Sequence, residues 1–116
     1  MKALEFVEAI RKVVLDKTAA GVISILRRPP GRRPAADITE LSVWYNKLSD
    51  EDSILIERLL RLTVRHSILG VFEVLDGALK VDPSANAGDH FELRHVHGSV
   101  EDILSGPNGE PLHELL

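Results

Sequence analysis

The stretch from Ser49 to Gly77 contains no proline and repeats apolar residues at helical spacing, so the longest element of the chain is a helix from about Asp50 to Leu75. Ser49-x-x-Asp52 supplies its N-terminal cap, and Asp50, Glu51 and Asp52 in the first turn complement the positive end of the helix dipole. Asp76-Gly77 supplies the stop, because glycine tolerates the left-handed position that follows a helix. The two halves differ. Glu57, Arg58, Arg61 and Arg65 mark a solvent stripe on the first, whereas Ser67 to Leu75 carries one charge, Glu73, among Ile68, Leu69, Val71, Phe72, Val74 and Leu75. A helix apolar nearly all round is a central one, so burial is expected there.

The remaining elements are arranged around this rod. Ala3, Phe6, Val7, Ile10, Val13 and Val14 recur at three- and four-residue steps, which predicts an amphipathic helix over residues 2–16. Thr18 is placed to cap a second short helix reaching about Leu26. By composition Val22 to Leu26 also suits a buried strand, and helix is the preferred reading. Arg27-Arg28-Pro29-Pro30-Gly31-Arg32-Arg33-Pro34 must be a loop, since its prolines remove donors and push the residues before them out of the helical region. Asp37-x-x-Glu40 has the form of a capping box opening a helix with Leu41, Trp44, Tyr45 and Leu48.

Beyond Gly77 the pattern changes to strands. Ala78 to Val81 and Phe91 to Val96 read as two short strands joined by a long connection, with Phe91, Leu93, His95 and His97 on one face. Residues 99–104 fit a helical turn or a third strand, and Pro111 to Leu116 a last docking turn. The expected fold class is α+β: three or four helices bundled around the long one, with a small antiparallel C-terminal sheet packed on them. At 116 residues the chain suffices for one domain, with N-terminal helices at 1–28, an Arg/Pro loop at 29–36, a helical core at 37–77 and the sheet and final turn at 78–116.

Charge is polarised along the chain. Residues 1–36 carry eight Lys/Arg against three Asp/Glu, and residues 37–116 carry six against fifteen, which sum to the net −4. Such asymmetry bears on partners rather than on fold. The absence of cysteine excludes disulfides, thiolate catalysis and iron–sulfur clusters. Glu5, Glu8 and Asp16 interrupt the apolar start, and no run of about 18 uncharged apolar residues occurs, so a cytoplasmic protein without a membrane segment is expected.

Leu41-Ser42-x-Trp44-Tyr45-Asn46-x-Leu48-Ser49-x-Glu51-Asp52, the long helix ending Val74-Leu75-Asp76-Gly77, then Phe91-Glu92-Leu93-Arg94 and Leu112-His113-Glu114-Leu115 resemble a family of small uncharacterised bacterial proteins. The resemblance spans about residues 41–116 and implies the helices-then-hairpin layout. It implies no activity and no catalytic residues.

Four groups of side chains are candidates for function. His90, His95 and His97, with Asp89 and His113 as further donors, have the residue types of a zinc-type divalent metal site, which would make the chain a small metal-dependent hydrolase. His66 and Glu73 share a helix face with Gly70 and Gly77. With Asp76 they are the buried polar candidates: His66 and Glu73 would make a general acid/base pair if that face lines a cleft, and the face meets solvent or a subunit partner if it is open. Arg27, Arg28, Arg32 and Arg33 could hold an anion, yet no aromatic residue lies among them to stack a base, so nucleic acid is not favoured. Trp44 and Tyr45 beside Asp50 and Glu51 combine aromatic anchors with acidic neighbours, which suits a basic protein partner. No Gly-x-Ser-x-Gly elbow or glycine-rich phosphate loop is present. The expected function is therefore a non-catalytic protein-binding module of an immunity-, antitoxin-like or regulatory kind, without a cofactor, binding a basic partner or a second copy of itself.

Overall fold

The computed structural model describes residues 1–84, 86 and 88–116. Its elements in chain order are helix α1 (Ala3–Ile10), a π-helical segment (Arg11–Asp16), helices α2 (Lys17–Arg27), α3 (Ala36–Asn46) and α4 (Asp50–Leu75), strands β1 (Leu93–His97) and β2 (Val100–Ser105), and the terminal turn α5 (Leu112–Leu115). This is an α+β architecture built on the long helix.

The first three segments form one continuous rod. Backbone angles at Ile10, Arg11, Asp16 and Lys17 all stay right-handed helical, and no side chain caps either junction, so the expected break at Thr18 is not made. No glycine or proline interrupts residues 3–20 to end the hydrogen-bond ladder. An unbroken 3.6-residue period would rotate the apolar face of α2 away from that of α1. The wider π turn winds it back, so that Val7, Leu15, Ala19, Ile23 and Leu26 are all buried. Residues 19–26 are thus helix, and the rod stops where Pro29 forces Arg28 into an extended conformation.

Ser49 Oγ accepts the Asp52 amide at 3.1 Å, as its spacing requires. At the far end Gly77 takes φ +79°, while the Ala78 amide reaches the Glu73 carbonyl at 2.8 Å and the Gly77 amide reaches that of Val74 at 3.1 Å. These two bonds make a Schellman termination. The Asp37 box does not form: α3 starts after Ala35 without a side-chain cap, and Asp37 Oδ1 accepts the adjacent Ile38 amide instead.

The sheet pairs differently from expectation. β1 joins β2, with His95 opposite Asp102 and His97 opposite Val100, and residues 78–81 form no strand. The connection is the two-residue turn Gly98-Ser99, with Gly98 at φ +60° and no positive φ at Ser99, the pattern of a type II′ hairpin. Gly-Ser between two β-rich runs is itself a hairpin signal, so the right partner was readable locally.

Two apolar clusters hold the molecule. Val7, Phe72, Leu112 and Leu116 form one with Phe6, Ile68, Leu69 and Leu75 around it, and the Phe6 and Phe72 rings lie 6.1 Å apart. Ile23, Leu26 and Tyr45 form the other against Leu48, Ile56 and Leu60. Each half of α4 therefore serves its own cluster, and the molecule is drawn out to 51 × 35 × 29 Å. The expectation of a buried second half is corrected: of α4 only Phe72 is fully buried, and Val71 is 59% exposed, because two small clusters cannot surround a 26-residue rod.

Candidate functional site

The aromatic pair is split by helical geometry, since neighbouring residues on α3 point about 100° apart. Tyr45 is buried at 4% exposure, with its hydroxyl 3.5 Å from Glu57 Oε1, and it is an anchor of the core rather than part of a docking surface. Trp44 is 48% exposed, beside exposed Leu41 and Val43. Directly after α3, Asp50 and Glu51 are exposed on the first turn of α4.

Leu55, Leu59 and Leu62 follow at steps of four and three on one side of α4, each more than half exposed. His66, Gly70 and Glu73 continue that side; His66 is exposed, Gly70 and Glu73 are half-buried, and no hydrogen bond joins His66 to Glu73 among the described residues. The structure thus extends the glycine-bearing face into an exposed apolar stripe, on a side of α4 distinct from the charged stripe of Glu57, Arg58, Arg61 and Arg65.

Asp76 is the buried polar centre. Its carboxylate accepts the Ser105 hydroxyl at 2.9 Å and the His113 amide at 2.8 Å, and lies 2.7 Å from His113 Nδ1. Burial pushes its pKa up, but the hydrogen bonds from the His113 and Leu112 backbone, the His113 ring and Ser105 outweigh this and hold it below the usual aspartate value. Ser, His and Asp meet here in the wrong order for catalysis: the serine hydroxyl bonds the carboxylate, so no imidazole is placed to take its proton. The group is a clasp between the end of α4, β2 and α5.

The histidines are dispersed. His90 lies 3.3 Å from both the Gly88 carbonyl and Glu92 Oε1, which in that order favour its protonated form, whereas a metal ligand must be neutral. His95 and His97 sit two apart on β1, while His113 is committed to Asp76. Among the described residues no cluster of three or more His, Cys, Asp or Glu is arranged to hold a metal ion.

The arginines converge in a way the chain order conceals. Arg11, Arg27 and Arg28 from the rod face Arg58, Arg61 and Arg65 from α4 across two adjoining clefts of about 440 and 480 Å³ that share Arg61. Arg32 and Arg33 stand exposed on the loop and line neither cleft. A further cleft of about 440 Å³ adjoins the end of α4, lined by Val74, Leu79, Lys80, His90 and Phe91 among others.

No protein-family model, curated protein or solved structure matches the chain. Among the described residues no helix is long and apolar enough to cross a membrane.

Proposed function

We propose that the protein is a non-catalytic protein-binding module of a regulatory or immunity/antitoxin-like kind. One observation carries this reading: Trp44 and Leu41 on α3 and Leu55, Leu59 and Leu62 on α4 are left about half exposed or more among the described residues. Monomeric domains do not ordinarily leave apolar residues in line in this way, and an exposed aromatic beside aliphatic side chains is the composition of a binding hot spot. The acidic turn Asp50-Glu51-Asp52 adjoins this surface and selects a partner with basic groups at its edge.

The test is co-purification with tagged wild-type protein and with Trp44→Ala and Leu59→Glu variants at low and moderate salt. The expected result is a stoichiometric basic partner that both variants lose. Light scattering on the isolated chain separates this from self-association, since a mass of twice 12.8 kDa would make the second copy the occupant. Retention of the partner by both variants would sink the reading.

A further inference from the structure

Six of the nine arginines of this net-acidic chain line one groove, and none of its five lysines does. Arg11, Arg27 and Arg28 stand on the rod, and Arg58, Arg61 and Arg65 on α4. Sequence order puts the two sets in segments of opposite net charge, so only the packing of α4 against the rod creates the concentration.

The groove already contains carboxylates. Arg61 reaches Asp16 Oδ1 at 2.7 Å, and Arg27 reaches Glu57 Oε1 at 2.9 Å, each pair bridging the rod and α4. Arg11 and Arg65 donate to the Leu116 oxygen. Among the described residues no ion pair engages Arg28 or Arg58. Six guanidinium groups thus meet two side-chain carboxylates and the Leu116 oxygen, which leaves positive charge in excess.

We infer that this groove binds an extended acidic polypeptide segment. Three features select that class. The resident Asp16 and Glu57 demonstrate that guanidinium groups here are presented to carboxylates at charge-assisted distances, and arginine, unlike lysine, grips a carboxylate through a planar fork. The floor between the charges is formed by Leu15, Ala19, Ala20 and Ile23, which suits a peptide's aliphatic stems and backbone. Among the described residues no aromatic side chain lines either cleft to stack a nucleobase. From Arg11 to Arg27 the rod spans about 24 Å, the length of about seven residues of extended chain. The ligand's carboxylates occupy Arg28 and Arg58 first and compete with Asp16 for Arg61. This site borders the apolar stripe of α4 at Leu62, but its partner carries the opposite charge.

Fluorescence anisotropy with labelled octaglutamate as the probe, at low salt and on the full chain, tests it. Saturable binding is expected, weakening about tenfold or more in Arg28→Ala/Arg58→Ala and less in the corresponding double lysine variant, which keeps charge but loses the fork. Asp16→Asn should tighten binding several-fold by removing the resident competitor, while Arg32→Ala/Arg33→Ala on the loop should change it less than twofold. Circular dichroism checks that each variant is folded. Equal affinity for the wild type and the Arg28/Arg58 alanine variant overturns the proposal. Tighter binding of a single-stranded oligonucleotide of equal charge, competing with octaglutamate, overturns it in favour of nucleic acid.

Discussion

The Asp76 carboxylate receives the backbone amide of His113 at 2.8 Å and lies 2.7 Å from its ring Nδ1, so the last residue before the glycine stop of α4 caps the terminal turn 37 residues away. The same carboxylate holds Ser105 of β2, and one side chain therefore joins the long helix, the sheet and α5. Ser105 and Leu112 beside it are among the most deeply buried residues of the chain.

Replacing Asp76 by alanine should destabilise the fold by on the order of 3 kcal/mol, because a charge-assisted acceptor is lost and buried donors are left unpaired. Urea unfolding followed by circular dichroism measures this. A loss below about 1 kcal/mol would show that the clasp is not a stability element.

The same group sets an acid limit. Its folded pKa lies below its unfolded value, so its contribution is fully present above the ordinary aspartate pKa, about 3.9, and disappears as pH falls through the lower folded value. The stability gap between wild type and Asp76→Ala should stay constant from pH 7 to about 5 and narrow below about 4. A gap unchanged down to pH 2 would contradict the assignment.

Tyr45 and Trp44 should separate cleanly. Tyr45→Ala opens the cluster with Ile23 and Leu26 and is expected to cost about 3 kcal/mol, whereas Trp44→Ala should change stability by less than about 0.5 kcal/mol. Thermal melts of the two variants check the order, and its reversal would remove Trp44 from the exposed surface.

Asn46 ends α3 and closes the rod. Its Nδ2 donates to the Leu26 and Arg27 carbonyls at 3.2 and 3.3 Å, and to Ser42 Oγ at 3.2 Å. Asn46→Ala should cost about 1 kcal/mol and raise hydrogen exchange in the last turn of α2 specifically. Uniformly faster exchange across all helices would indicate a global effect instead.

Gly98 should define the sheet register. A β-carbon at φ +60° strains the turn by about 1 kcal/mol or more, so Gly98→Val is expected to weaken amide protection in β1 and β2 while α4 stays protected. Unchanged strand protection would show that pairing does not depend on this turn.

What the sequence determined by itself is the local grammar of the chain. The cap at Ser49, the Schellman end at Gly77 and the proline stop after Arg27 each depend on one backbone conformation and a few neighbouring groups, so residue types within four positions suffice to read them. The Gly98-Ser99 turn belonged to the same class, and the mistaken pairing of residues 78–81 came from weighing composition above that signal. Only tertiary structure decided which faces are covered. Periodicity marks an apolar stripe but not its partner, and Leu55, Leu59 and Leu62 remain open because the rod and α3 pack against the other side of α4. Asp76 with His113, and the ion pairs that join the two sets of arginines from oppositely charged segments, span 30 to 45 residues and link separate elements. Pairings at such separations are set by how whole elements dock, which no window of local sequence contains.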